Sequence, residues 1–153
     1  RVYIIEAGDI MKRLYLLLII CLLCGCGTEK IKLKESVVIE FYSITSCGEC
    51  KAFKKNAIPY IKKKLENQVT IRMKDLDNQK DLKDYEQIVK KLRNFDQEYY
   101  GMGPFINVKG KMAYLGYEAD DEKDIINDII ALDQGNTLSS KGKGHRYMYQ
   151  KKS

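Results

Sequence analysis

The stretch Ser36-Val37-Val38-Ile39-Glu40-Phe41-Tyr42-Ser43, followed after a short turn by Cys47-Gly48-Glu49-Cys50, decides how the rest of the chain reads. Its first part is β-branched and aromatic with little alternation. That pattern predicts a central strand covered on both faces. The C-x-x-C comes directly after the strand, and a helical pattern begins behind it. Residues 51–67 carry Phe53, Ala57, Ile58, Ile61 and Leu65 at helical spacing, with lysines between them. Pro59 falls inside that run and predicts a kink or a two-part helix.

Toward the C-terminus, residues 69–73 alternate Val69, Ile71 and Met73 against Thr70 and Arg72, as a second strand would. A polar connection over 75–81 leads to a helix over 82–95, with Leu82, Tyr85, Ile88, Val89 and Leu92 as its stripe. Residues 99–103 form a Gly-rich loop ending at Pro104. A strand over 105–108, a turn at Lys109-Gly110-Lys111 and a strand over 112–115 make a hairpin. The last helix covers 121–132, with acids in its first turn and Ile125, Ile126, Ile129, Ile130 and Leu132 on its apolar face. Residues 134–153 are polar and read as a frayed tail. The body, residues 36–133, is therefore an α/β domain. A central mixed sheet of about four strands is flanked by helices, and the C-terminal half is ββα.

Toward the N-terminus, Met11-Lys12-Arg13 begins a basic segment and residues 14–23 are an unbroken apolar run. The run is too short to span a hydrocarbon core, which takes about 20 residues. It suits a signal-peptide core. It ends in Leu23-Cys24-Gly25-Cys26, which resembles the bacterial lipobox. That resemblance implies that residues 11–25 are a lipoprotein signal and that Cys26 is diacylated and becomes the first mature residue. Residues 26–35 would then be a lipidated, lysine-bearing tether. Two acyl chains hold a protein firmly to a bilayer. Residues 1–10 lie upstream of the better start and are set aside from the fold. The expected location is extracytoplasmic, on the cell membrane.

The chain's 153 residues make one ordinary domain, and 31% charged against 44% apolar residues suit a soluble body. The net charge of +6 comes from lysines interleaved with acids, which reads as a solvated surface. No Arg-rich run or recognition motif is present, so no nucleic-acid partner is expected. With no Trp and one His, His145, histidine-based catalysis and a His-rich metal site are disfavoured.

A C-x-x-C can be half of a zinc site, a structural disulfide or a redox pair. Zinc takes about four ligands. Beyond the pair the chain offers only His145 once Cys26 is acylated. A disulfide across two residues closes too small a loop to add much chain entropy. The position after a buried strand, opening a helix, favours the redox pair. Cys47 at the helix N-terminus would have its thiolate stabilised by unpaired N–H groups and the dipole. Cys50, one turn on, would resolve the mixed disulfide. Gly48 fits the tight turn. Glu49 places a negative charge beside the thiolate and opposes it.

From Val37 to Leu132 the chain resembles the thioredoxin superfamily. The shared parts are a strand entering C-G-x-C, a long helix containing a proline, a β-α step, a Gly-x-Gly-Pro loop, a hairpin and a last helix. The resemblance implies thiol–disulfide chemistry with no cofactor beyond the Cys47–Cys50 disulfide, and no metal. It implies that Pro104 is cis and packs beside the pair, and that residue 103 offers main-chain hydrogen bonds to substrate. Gly103, Gly48 and Glu49 would then line the substrate site. The family's buried acid would fall on Glu40, although its spacing to Cys47 is one residue too long. The middle dipeptide Gly48-Glu49 differs from that of thioredoxin proper, which leaves the direction of electron flow open. Expected partners are the thiols and disulfides of exported proteins and a membrane redox partner, with the protein itself monomeric. The alternative is a thioredoxin-fold accessory or binding lipoprotein, such as those serving secretion of peptide toxins. Its disulfide would be structural and its Tyr99-Tyr100-Gly101-Met102 loop would be the partner surface.

Overall fold

The computed structural model describes residues 30–138 and 145–150. The chain divides into two units, Arg1–Lys30 and Ile31–Ser153, and the fold below is that of the second. The signal segment 11–25, the lipid-bearing Cys26 and residues 1–10 lie outside the described residues.

Strand β1, Val37–Ser43, is buried at every position but Val38. It owes that to its place in the sheet, between β2 (Val69–Asp75) and β3 (Phe105–Val108). It runs parallel to β2 and antiparallel to β3, with Phe41 opposite Met73 on one side and Ile106 on the other. The hairpin continues to β4, Met112–Leu115, through a turn in which Gly110 takes a φ of 74° that side-chain-bearing residues avoid.

Behind β1, helix α1 (Gly48–Ala52) passes through a π-helical turn, Phe53–Ala57, into α2 (Ile58–Leu65). Pro59 is the cause. It has no N–H to donate, and its ring excludes the carbonyl one turn back. The ladder opens just before it, and the Ile58 N–H bonds the Phe53 carbonyl five residues away. The wider turn also keeps Phe53, Ala57, Ile61 and Leu65, spaced by four, on one fully buried face. The expected interruption is therefore a widened turn.

Helix α3, Gln79–Val89, starts earlier than its apolar stripe because Asn78 caps it, accepting from the Lys80 and Asp81 N–H groups. It also ends earlier than residue 95. The backbone beyond it is used elsewhere: Arg93 N–H donates to Met148 O, and Gln150 N–H to Lys91 O. Helix α4, Asp121–Gln134, closes the fold with Ile125, Ile126 and Ile129 buried.

The sheet has five strands, in the order β2-β1-β3-β4-β5. The fifth, Arg146–Met148, comes from the segment expected to be a frayed tail, and it pairs antiparallel with β4. It is held by chemistry that a hydrophobic pattern does not display. The guanidinium of half-buried Arg146 meets the buried Asp128 carboxylate of α4, and the Tyr114 hydroxyl donates to the same carboxylate.

Two apolar clusters lie on opposite faces of the sheet. Ile39, Phe41, Ile106 and Val108 meet α1, α2 and α4, whereas Tyr42, Phe105 and Ala113 meet α3. The result is an α/β fold with a mixed sheet flanked by helices, consistent with a thioredoxin-like arrangement.

Candidate functional site

The turn from β1 into α1 is pinned from outside. Asp77 accepts from the Thr45 N–H at 3.1 Å and from the Thr45 hydroxyl at 2.9 Å. Cys47 N–H donates to Ile44 O, which brings Cys47 to the N-cap of α1. Its sulfur accepts the Cys50 N–H at 2.9 Å. Cys47 is half-buried and Cys50 is only 1% exposed. The two are joined as a disulfide with their Cα atoms 5.2 Å apart. One sulfur can thus be approached from solvent while the other is shielded. A main-chain N–H aimed at the approachable sulfur would stabilise negative charge on it once the bond is open.

Gly103 and Pro104 lie against the pair, joined by a cis peptide bond. Gly103 O is 3.4 Å from Cys47 Sγ. A Cβ added at Gly103 would sit 3.2 Å from Cys50 Sγ and 3.6 Å from both Tyr42 O and Ile44 N. A side chain at this position would therefore crowd the sulfur unless the cysteine turn shifted by a few tenths of an ångström. Gly48 is exposed, and a Cβ there would meet nothing within 4 Å. Glu49 reaches across to the loop before α4 and accepts the Tyr117 N–H at 3.1 Å.

Glu40 is not brought to the pair. It points to the other face of β1, where the Asn107 amide donates to it at 2.9 Å and Arg72 stands 3.9 Å away. The Tyr149 hydroxyl in turn donates to Asn107. The extra residue in its spacing to Cys47 has this consequence, because side chains alternate along a strand and a one-residue shift changes face. Phe41 takes the position facing the helix that carries the cysteines, and stacks on Phe53 with centroids 4.7 Å apart. The expectation of a buried acid at Glu40 beneath the active site is corrected accordingly.

Two depressions lie here, one lined by the pair itself and one beside Gly103. One, of about 410 Å³, is lined by Cys47, Cys50, Lys51, Lys54, Met73 and Lys74 among others. Lys74 is bound to Asp81 at 2.7 Å and Asp84 at 2.9 Å. Those bonds raise its own titration range, while Lys74 and then the Asp75 N–H hold the Asp81 carboxyl below the usual one. The other depression, of about 280 Å³, is lined by Tyr99, Met102 and Gly103, by Leu115, His145 and Tyr147, and by Glu49 and Gly116. The loop that supplies its first wall is fixed to α3. Gly101 N–H donates to the Tyr85 hydroxyl, and the Tyr100 hydroxyl donates to Glu86 at 2.7 Å. The Glu86 carboxylate pushes the Tyr100 hydroxyl up to about 12.

The exposed loop was legible as Tyr-Tyr-Gly-Met before Gly-Pro. The contribution of His145 and Tyr147 was not, since nothing local marks their polar surroundings as a strand. Among the described residues there is no group of three His, Cys, Asp or Glu side chains able to hold a metal ion. Nor is any helix among them long and apolar enough to cross a membrane. No protein-family model matches the chain, and no curated protein or solved structure matches it.

Proposed function

We propose that this protein is a thioredoxin-like thiol–disulfide oxidoreductase, tethered outside the cytoplasmic membrane by lipid on Cys26, with exported proteins and a membrane redox partner as its reactants. The observation that carries the reading is the asymmetry of the pair. An approachable Cys47 sulfur accepts the Cys50 N–H at a helix start, and a shielded Cys50 lies within bonding distance. In the reduced protein the Cys47 thiolate attacks one sulfur of a substrate disulfide. A mixed disulfide forms and the first substrate thiolate leaves. Cys50 then gives up its proton and attacks Cys47 Sγ, which closes the Cys47–Cys50 bond and releases the second substrate thiol. Two electrons pass to the substrate. Run in reverse, the same steps oxidise a substrate dithiol.

The first test is the reduction potential of the pair in the full chain, equilibrated in graded thiol–disulfide buffers. A value near about −270 mV would make it a reductase and one near about −120 mV an oxidase. A pair that stays oxidised well below about −300 mV would behave as a structural disulfide. That outcome would replace the enzyme with a binding lipoprotein. The observation favouring this second reading is the exposure of Tyr99, Tyr100 and Met102 on one anchored loop.

A further inference from the structure

We infer that the depression beside Gly103 selects the substrate. It takes a large apolar side chain adjacent to the reacting cysteine of an extended protein segment, and it disfavours an acidic one. The inference rests on the redox reading above.

Gly103 belongs to both places. Its carbonyl oxygen is 3.4 Å from Cys47 Sγ, and the residue also lines the depression. A substrate cysteine bonded to Cys47 therefore carries its chain neighbours to this spot, since an extended chain advances only about 3.3 Å per residue. The receiving walls are mostly apolar or aromatic, Tyr99 and Met102 on one side and Leu115 and Tyr147 on the other, with the ionisable side chains of His145 and Glu49 among them. A volume of about 280 Å³ suits one side chain rather than a whole small molecule.

Exposure points the same way. Among the described residues the exposed large hydrophobic side chains are Met73, Tyr99, Tyr100 and Met102. Three of them line the two depressions, and Tyr100 is next to Tyr99. Apolar surface gathered at one place is the mark of a contact site. Glu49 supplies the discrimination by charge. Its carboxylate lines the depression and is fixed there by the Tyr117 N–H, so an incoming Asp or Glu meets a negative neighbour.

The test uses the full chain, reduced with dithiothreitol and freed of it. It is mixed with short homodimeric peptide disulfides that differ only beside their cysteine, which carries Phe, Ser or Asp. Each turnover converts the Cys47–Cys50 dithiol and one peptide disulfide into the protein disulfide and two peptide thiols. The same peptides reduced by free dithiothreitol correct for their intrinsic reactivity. The Phe peptide should react about tenfold faster than the Ser peptide, and the Asp peptide more slowly than either. Met102→Ser should cut the Phe-to-Ser ratio several-fold, Tyr99→Ser should lower it too, and Met102→Leu should restore it. A ratio near one in the unaltered protein, or one that Met102→Ser leaves unmoved, overturns the inference. Hydroxyethyl disulfide separates the two claims. If it oxidises the pair while the peptides are treated alike, only the selectivity falls. If neither it nor any peptide oxidises the pair, the redox reading falls as well.

Discussion

Gly103 shows how one absent atom shapes a site. At residue 103 the chain carries glycine, the smallest residue, where the loop meets the cysteine pair. The structure gives a steric reason, since a Cβ would come within 3.2 Å of Cys50 Sγ. A sulfur held by its helix and its disulfide cannot yield freely. Gly103→Ala should therefore cost about 1–3 kcal/mol, the usual range for overpacking a tight interior, with the midpoint of urea unfolding as the readout. A midpoint equal to that of the unaltered protein would mean that the cysteine turn gives way easily. Cys47, Cys50, Gly103 and Pro104 were all legible as residues, because a short motif and a Gly-Pro pair mark them. The bond from Glu49 to the Tyr117 N–H was not, because it joins positions 68 residues apart.

Among the elements, β1 carries the sharpest lesson. Its strand character is plain in Val37 to Ser43, but which side chains face the cysteines depends on counting by twos from a turn of unknown length. Glu40 falls on the face of α3 and binds Asn107, and Phe41 falls on the face of the pair. Glu40→Gln, which retains a hydrogen-bonding side chain, should leave the pH profile of Cys47–Cys50 oxidation and reduction within about twofold of the original. A general acid or base at that position would cost 10²-fold or more, so a loss of that size in stopped-flow kinetics would return Glu40 to the mechanism. The other elements were legible wherever apolar periodicity was strong, as in α2 and α4. They were misjudged where polar groups decide the outcome. Asn78 starts α3 before its stripe begins, and the Arg146–Asp128 pair builds a strand from residues that look like tail.

At the scale of the whole molecule, tyrosine takes the place that tryptophan holds in many cores. The chain has 11 tyrosines and no tryptophan. Burial pushes the hydroxyls of Tyr42, Tyr114 and Tyr117 up, and the carboxylates of Asp128 and Glu122 add to this at Tyr114 and Tyr117. Each binds its proton more tightly folded than unfolded. Their contribution is complete below the unfolded value of about 10 and is lost as pH rises above it, at about 1.4 kcal/mol per pH unit for each group. Alkaline unfolding should thus be steep, with tyrosinate absorbance rising together with the loss of circular dichroism. Full ionisation of the tyrosines near pH 10 without unfolding would contradict it.

The strand order has one more consequence, which concerns solubility. A sheet invites neighbours at its edges, where unpaired main-chain groups can recruit another chain. Among the described residues one edge is β2, which presents Arg72 and Met73 to solvent. The other is β5, only three residues long. Beyond that strand, Tyr149 bridges to Leu92, and Gln150 N–H reaches Lys91 O. The β2 margin carries the exposed Met73 beside Arg72, while the β5 margin is kept short and bonded to the segment after α3. On the proposed function, the short and bonded β5 margin would leave the exposed backbone of a substrate chain little to pair with.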